Sequence, residues 1–373
     1  MTASKLRIAF AIERLVPAGG LEQHALRLAD LLVQRGHEVT LITTRAPAQP
    51  PPNVAVREIP GRGSSNHGRM AAFAEDAAAA AREFDRSLVF HPVPGFDVVF
   101  CANPSRAQPS PLRALLPRYR AYAELERQAF APGSRATVLC LSGVQRDAIA
   151  RNNATPAERL VLLPPTVDRL TSDPPSPRVR GEARRALGLA PSSPVWLWMG
   201  LQPKTKGLDR AFTALAGAPD ACLLITGLDP ASGAGESAKR LARRLGVEAR
   251  VVWLGFCDEA ALRQAKAAAD LLLHPARADV TGTVILEAMA SGLPVITTEV
   301  CGYGEHVANA DAGVVLSEPY RAADLGRALA AATPAQLKTW SANALAYAER
   351  DELFSGLERA ADIIAGPAVA PAR

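Results

Sequence analysis

LRIAFAIERLVPAGGLEQHALRLADLLVQRGHEVTLIT, residues 6–43, contains a complete strand–helix–strand unit. Its first part, Leu6–Ile12, is short and apolar, which is typical of a buried strand. Apolar residues then recur at helical spacing from Leu21 to about Gln34, and Gly36 ends that helix. The run Val39–Thr43 predicts a second strand. Two strands joined by a helical crossover predict parallel pairing and an α/β fold.

The same alternation continues through the chain. Further strands are predicted at Val54–Ile59, Leu88–Phe90, Val98–Cys101, Thr137–Leu141, Leu160–Leu163, Val195–Met199, Ala221–Thr226, Arg250–Leu254, Leu271–His274, Val295–Thr298 and Val314–Leu316. Helices are predicted at Met70–Phe84, Leu112–Phe130, Val144–Arg151, Leu208–Leu215, Glu236–Gly246, Glu259–Ala268 and Gly282–Ser291, with a helical tail over Arg321–Ala365. Short apolar strands between helices favour parallel sheets covered on both faces.

Prolines accumulate between the two halves, from Pro164 to Pro194, including SDPPSP at Ser172–Pro177. This composition predicts a linker with little helix before about Val179. We therefore expect two doubly wound domains that face a cleft, with ligands bound at the carboxyl ends of the strands.

The composition excludes several classes of protein. A chain of 373 residues that is 48% hydrophobic and 21% charged is globular, and at roughly 100–200 residues per domain it suggests two domains. No apolar run approaches the ~20 residues of a membrane helix, and no signal peptide is recognisable, so we expect a cytoplasmic protein. The net charge of +5 is spread along the chain, and no nucleic-acid partner is expected. The five scattered cysteines predict reduced thiols without zinc.

Two loops contain residues suited to phosphate. Gly19 and Gly20 lie between the first strand and helix, where a helix N-terminus offers unpaired N–H groups to an anion. The alternative is an ordinary tight turn. Lys204 and Lys206 follow a strand of the second half and could neutralise a diphosphate, with a surface pair of lysines as the alternative.

An acid pair is the most informative motif. Asp279 is expected on the loop after Leu271–His274, and Glu287 about one turn into the following helix. A carboxylate at the helix could accept hydrogen bonds from a ribose, and one on the loop from a sugar ring. The alternative is an incidental pair of acids.

Together these motifs resemble the retaining nucleotide-sugar glycosyltransferases of family four. They are, in chain order, Gly19-Gly20-Leu21-Glu22, Gly36-His37-Glu38-Val39, Met199-Gly200, Lys206-Gly207-Leu208-Asp209, Asp279 with Glu287, and Ala290-Ser291-Gly292-Leu293-Pro294-Val295. The resemblance implies the GT-B fold, two Rossmann-like domains facing a cleft. It implies an acceptor domain at 1–168, a nucleotide-sugar domain at 169–345, and a C-terminal helix at 346–373 that packs back on the first domain.

Within that family the chain resembles the lipopolysaccharide core glucosyltransferases. The segments are Ser65-Asn66-His67-Gly68-Arg69, Pro94-Gly95-Phe96-Asp97-Val98, Arg118-Tyr119-Arg120-Ala121-Tyr122, Leu163-Pro164-Pro165, Ala267–Ala276 and Val300-Cys301-Gly302-Tyr303. The implied reaction transfers a hexose, glucose from UDP-glucose, to a heptose of the inner core. The implied partners are a UDP-sugar, the lipopolysaccharide core acceptor and the anionic inner face of the inner membrane. No cofactor or metal is implied besides the nucleotide-sugar substrate.

The resemblance also implies roles for single residues. Gly19 and Gly20 would approach the donor diphosphate, and Lys206 would bind phosphate as a catalytic cation. Thr205 stands where the family usually has Arg, and Lys204 could compensate. His24 stands where close relatives have an Asp near the sugar.

The remaining implied residues contact the sugar and nucleoside. Asp279 would bind the sugar, in place of the family's usual Glu, and Glu287 the ribose. The residues expected along the phosphates and nucleoside are Thr281, Gly282, Thr283 and Val284. Asp97 matches a catalytic acid near the sugar and acceptor. A lone Asp before a strand is otherwise a turn or cap residue.

The segment Arg106–Arg127 combines a net charge of +3 with interleaved leucines and tyrosines. Such a surface can rest on anionic lipid, and the alternative is a solvated helix.

Three alternatives to the implied activity stay open from the sequence. They are another donor sugar or glycan acceptor, a nucleotide-sugar epimerase or phosphorylase on the same scaffold, and a non-catalytic binding protein.

Overall fold

The computed structural model describes residues 5–15, 20–46, 51–106, 111–167 and 174–366. They form two compact units. The first contains the chain up to Thr166 and the segment from Glu352 onwards, and the second runs from Val167 to Asp351. Within the described ranges, no helix is long and apolar enough to cross a membrane.

The helices and strands alternate along most of the chain. The elements are β1 (Arg7–Ala11), α1 (Gly20–Gln34), β2 (Glu38–Thr43), β3 (Ala55–Glu58), α2 (Asn66–Ala81), β4 (Arg86–Val89), β5 (Val98–Cys101), α3 (Pro111–Ala114), α4 (Pro117–Phe130), β6 (Thr137–Cys140), α5 (Gly143–Asn153), β7 (Leu160–Leu162), α6 (Pro177–Ala186), β8 (Val195–Met199), α7 (Leu208–Ala216), β9 (Cys222–Thr226), α8 (Gly233–Arg244), β10 (Val251–Gly255), α9 (Glu259–Ala268), β11 (Leu271–His274), α10 (Thr283–Ala290), β12 (Val295–Thr298), α11 (Gly304–Ala310), β13 (Gly313–Leu316), α12 (Ala322–Ala331), α13 (Pro334–Ala348) and α14 (Gly356–Ala365).

The first unit is built on a parallel sheet with the order β3-β2-β1-β4-β5-β6-β7. Its inner strand β1 is buried from Ile8 to Ala11, and helix α1 buries the apolar stripe that predicted it, including Leu28 and Leu32. Helix α14 lies against α1, where Arg35 forms an ion pair with Asp362 at 2.8 Å. The last described helix therefore belongs to the first unit.

The second unit repeats the design with a parallel sheet of order β10-β9-β8-β11-β12-β13. Strand β8 (Val195–Met199) is fully buried, and its Trp198 packs in a core with Phe212 of α7. The predicted α/β class and the alternation of strands and helices are confirmed in both units.

Each sheet has a point at which the strand order reverses. It lies between β1 and β4 in the first sheet and between β8 and β11 in the second. The loops that leave neighbouring strands at such a point diverge to opposite faces and open a crevice at the carboxyl edge. The chain therefore provides two such edges, one in each unit.

Helix α6 (Pro177–Ala186) lies within the predicted linker and is an unpredicted element, although it begins only two residues before Val179, the point before which little helix is expected. Ser176 caps this helix through a hydrogen bond from Val179 N, and Pro177 occupies the first turn, where its missing N–H costs nothing. The short helix α11 was not predicted, and the predicted helical tail is divided into α12, α13 and α14.

Candidate active site

The loops that follow β8 and β11 meet at the carboxyl edge of the second sheet. Lys206 lies in the first loop and Asp279 in the second, and Lys206 Nζ is 2.7 Å from Asp279 Oδ2. His274, the last residue of β11, contacts the same oxygen through Nε2 at 2.9 Å. Because β8 and β11 are neighbours at the reversal point, two residues from distant parts of the sequence form one ion pair.

The charges of this cluster are set by its contacts. Burial by itself raises the pKa of Asp279, but His274 and Lys206 outweigh it and hold that pKa below its ordinary value. Burial also opposes the charged form of His274, yet the hydrogen bond to Asp279 and the neighbouring Cys301 raise its pKa to about 9. Asp279 is therefore favoured as an anion that contacts both the His274 imidazole and the Lys206 ammonium.

Ligand atoms of His274, Asp279 and Cys301 all lie within 4.8 Å of one another, so this trio could hold a metal ion. A histidine must be neutral to bind a metal, whereas the raised pKa of His274 favours its protonated form. The Lys206 ammonium already neutralises the carboxylate. We interpret the trio as part of an ion-pair cluster.

One glycine, Gly207, allows the two loops to approach each other, and a second, Gly282, forms the start of α10. Gly207 precedes α7 with φ of +71°, and a Cβ there would lie 2.0 Å from the carbonyl oxygen of Pro275. Gly282 precedes α10 with φ of +78°, and a Cβ there would lie 3.0 Å from Cδ1 of Ile285. Both positions need the left-handed backbone that glycine adopts without strain.

Arg277 joins the same two loops and was not singled out by the sequence. Its guanidinium forms two parallel hydrogen bonds to Asp209, at 2.7 and 2.6 Å, and a third to the carbonyl of Lys204 at 2.8 Å. Its backbone N–H donates to the carbonyl of Thr205. This bidentate pair fixes the loop that carries Lys206. The only signal in the sequence was an arginine two positions before Asp279.

The predicted nucleoside residues lie at the start of α10. Thr281 and Gly282 precede the helix, and the N–H groups of Thr283 and Val284 occupy its first turn, where an α-helix provides no acceptor. The half-buried Glu287 follows one turn later. Its negative charge favours the charged form of Lys266 of α9, whose pKa burial holds below its ordinary value. The helix therefore directs its positive end to the edge that holds Asp279.

The side chain of Lys204 is exposed and that of Thr205 is half-buried, both on the loop that ends at Lys206. Through their carbonyl groups, these two residues accept the hydrogen bonds of Arg277. That Lys204 supplies the positive charge that the family's usual Arg would give at position 205 stays a prediction.

The first unit contains the other predicted residues. His24 lies in the first turns of α1, where its Nε2 is 3.1 Å from the carbonyl of Thr166 and its ring packs near Phe100. Gly20 begins α1. Gly19 lies outside the described residues.

Asp97 does not lie at a carboxyl edge, which corrects its predicted catalytic role. It immediately precedes β5, and its Oδ2 accepts hydrogen bonds from the Ser87 N–H at 2.8 Å and the Ser87 hydroxyl at 2.7 Å. The four residues of β5 separate it from the carboxyl edge by roughly 13 Å, at about 3.3 Å per residue. Asp97 links two strand starts, as the alternative of a turn or cap residue predicts.

Comparisons with known families match both units. Residues 18–169 match glycosyltransferase family 4, and residues 179–344 match the glycosyl transferases group 1. The lipopolysaccharide glucosyltransferase WaaG of Escherichia coli (strain K12) is 34% identical over 96% of this chain and 98% of its own length.

Solved structures give the same result. The crystal structure of WaaG, a glycosyltransferase involved in lipopolysaccharide biosynthesis, superposes with a TM-score of 0.83 at 32% identity, over 96% of this chain and all of that one. The structure of Anabaena HepE in complex with UDP-glucose has a TM-score of 0.71 at 20% identity, over 95% of this chain and 98% of that one, and it shares the fold.

Proposed function

Because the chain belongs to glycosyltransferase family 4, and is thus a glycosyltransferase of the GT-B fold, we propose that it transfers glucose from UDP-glucose to a heptose of the lipopolysaccharide inner core, with retention of configuration. The observation that carries the proposal is the cluster of Lys206, Asp279 and the α10 N-terminus at the reversal point of the second sheet. The name of the relative that matches nearly the whole chain supports the sugar and the acceptor.

The donor would bind across this edge. Lys206 and the first N–H groups of α10 supply positive charge for a diphosphate, and Glu287 supplies a carboxylate for the ribose hydroxyls. Asp279 uses Oδ2 for both of its cationic partners. Its Oδ1 has no other hydrogen-bond partner among the described residues, so it is left to accept from a hydroxyl of the donor sugar.

The chemistry follows from charge. Glycosyl transfer passes through an oxocarbenium-like state while negative charge grows on the departing diphosphate. Lys206 and the helix N-terminus stabilise that growing charge, which is where an enzyme gains most from fixed electrostatics. In front-face attack the departing diphosphate accepts the proton of the heptose hydroxyl, so the protein needs no carboxylate nucleophile.

The proposed site of action is the inner face of the inner membrane, where the enzyme would be peripheral. Supporting this, Leu112 of α3 is 82% exposed, and Leu115 and Leu116 in the turn between α3 and α4 are 74% and 51% exposed. Arg118 and Arg120 lie beside them on α4. Exposed leucines next to arginines suit a surface of anionic headgroups above acyl chains.

A direct assay tests the function. Purified protein is given UDP-glucose and inner-core lipopolysaccharide that lacks its first glucose, and UDP release and acceptor mass are followed together. We expect stoichiometric UDP and a gain of one hexose, with less turnover on UDP-galactose. Conversion of UDP-glucose to another UDP-sugar without UDP release would identify an epimerase instead. No consumption of any sugar nucleotide would contradict a catalytic role.

A further inference from the structure

His274 lies where the buried core of the second sheet meets the candidate active site. It is the last residue of β11 and its side chain is only 1% exposed. Its Nε2 is 2.9 Å from Oδ2 of Asp279, which Lys206 contacts at 2.7 Å. One carboxylate oxygen is thus held from the core by an imidazole and from the edge by an ammonium.

The surroundings of His274 restrict its orientation. Its carbonyl accepts a hydrogen bond from Thr297 Oγ1 at 3.0 Å. Cys301 lies beside the imidazole. Its backbone pairs with that of Asp279 in an isolated β-bridge, and its Sγ is 3.6 Å from Thr298 Oγ1. Among the residues that the structure describes, the titratable or charged groups that face the imidazole are Asp279 and Cys301, with Lys206 beyond the shared carboxylate oxygen.

We propose that His274 is a positioning residue, whose Nε2–H fixes the Asp279 carboxylate so that Oδ1 faces the donor sugar. The inference rests on the proposed function, because it assigns the sugar contact to Asp279. Two donors on one oxygen remove the rotation that a short loop carboxylate would otherwise have. A carboxylate displaced by about 1 Å can lose on the order of 100-fold in rate.

The charge of His274 supports this role. Burial alone would lower the pKa of His274, but Asp279 and Cys301 raise it to about 9, so the ring is protonated at neutral pH. Its proton is lost as the pH rises through that value. Turnover of the wild-type enzyme should then fall above about pH 9, because the ring loses its positive charge and the neutral Nε2–H that remains holds the carboxylate less strongly.

The first experiment compares His274→Gln with His274→Leu in the intact protein. Gln retains an N–H donor near the Nε2 position, whereas Leu removes it. We expect kcat to fall on the order of 100-fold in His274→Leu and to recover to within roughly tenfold of wild type in His274→Gln. The Kd for UDP, measured by calorimetry, should stay within about threefold in both, because the ribose and phosphate contacts lie elsewhere.

A matched control and the pH profile separate positioning from general stability. His37→Gln replaces another buried histidine, at the amino edge of the first sheet, and should leave kcat unchanged. The alkaline decline near pH 9 should disappear from His274→Gln. Equal kcat in wild type and His274→Leu, or an unchanged alkaline limb in His274→Gln, would overturn the proposal.

A second readout needs no substrate. NMR titration of the histidine ring protons should give His274 a pKa near 9 in wild type and a clearly lower one in Asp279→Asn, because the contribution of the carboxylate is lost while burial still opposes the charged ring. An equal pKa in both proteins would overturn the pairing whichever sugar nucleotide the enzyme uses. Failure of wild type to use UDP-glucose would instead contradict the proposed function alone.

Discussion

The two units of this protein repeat one design and use it differently. Both have a parallel sheet with a reversal point, but the second gathers Lys206, His274 and Asp279 at its carboxyl edge, each in contact with the next. In the first unit, His24 contacts a backbone carbonyl, and Asp97 lies at the opposite edge of the sheet. The fold provides the crevice, and the side chains on the flanking loops decide which crevice can bind a charged donor.

Removal of Lys206 should produce the largest loss of turnover if the chemistry takes place at the carboxyl edge of the second sheet. Lys206→Ala should lower kcat on the order of 100- to 1,000-fold, because diphosphate charge grows as the glycosidic bond breaks. The Kd for UDP should rise much less. Steady-state kinetics with calorimetry on the same protein distinguish the two. Equal losses in turnover and binding would show that Lys206 acts on the bound ground state.

Loss of Glu287 should affect binding rather than turnover. Glu287→Ala removes a hydrogen-bonded carboxylate worth roughly 1.5–3 kcal/mol, so the Kd for UDP should rise about 10- to 100-fold. Glu236→Ala, on the exposed helix α8 of the same unit, is the control. Calorimetry that gives the same Kd for wild type and Glu287→Ala would exclude the ribose contact.

The exposed surface of the first unit should affect lipid binding alone. Arg118→Gln with Arg120→Gln should weaken binding to anionic vesicles about 30-fold, at about 1 kcal/mol per arginine, and leave the Kd for UDP unchanged. Arg240→Gln with Arg244→Gln on α8 is the control. Wild-type binding should fall with salt, since the screening length shrinks from about 10 Å at 0.1 M to about 3 Å at 1 M.

Two results would contradict this lipid-binding role. One is salt-insensitive binding to neutral vesicles. The other is an equal loss of activity on vesicle-embedded and short soluble acceptors, which would indicate an ordinary structural helix.

The smallest effect is expected from Lys204. Its side chain is exposed, and the loop is held through its carbonyl by Arg277. Lys204→Ala should raise the Kd for UDP a few-fold in wild type and more when Lys206 is also replaced, if it supplies the charge missing at Thr205. An unchanged Kd in both backgrounds would make Lys204 a surface residue.

The sequence was most informative where one loop contained the whole signal. The strand Leu271–His274, Gly282 and the acid pair lie within one strand–loop–helix segment, and the structure has this segment as predicted. Helix α6 was missed because prolines dominated the interpretation, although Ser176 before Pro177 is a regular helix start.

Contacts between segments that are distant in the chain could not be predicted from the sequence. The bidentate pair of Arg277 with Asp209 and the convergence of Lys206 and His274 on Asp279 depend on the adjacency of β8 and β11. Asp97 was assigned wrongly because a single acid before a strand has no neighbouring motif to fix which edge of the sheet it occupies.

Asp279→Asn and Asp97→Asn test the central difference between the two units most directly. Both changes remove one charge at nearly constant shape, and both proteins are assayed for kcat with the same donor and acceptor. We expect a loss on the order of 100-fold for Asp279→Asn and less than about threefold for Asp97→Asn. A large loss in Asp97→Asn with near-normal turnover in Asp279→Asn would contradict this expectation.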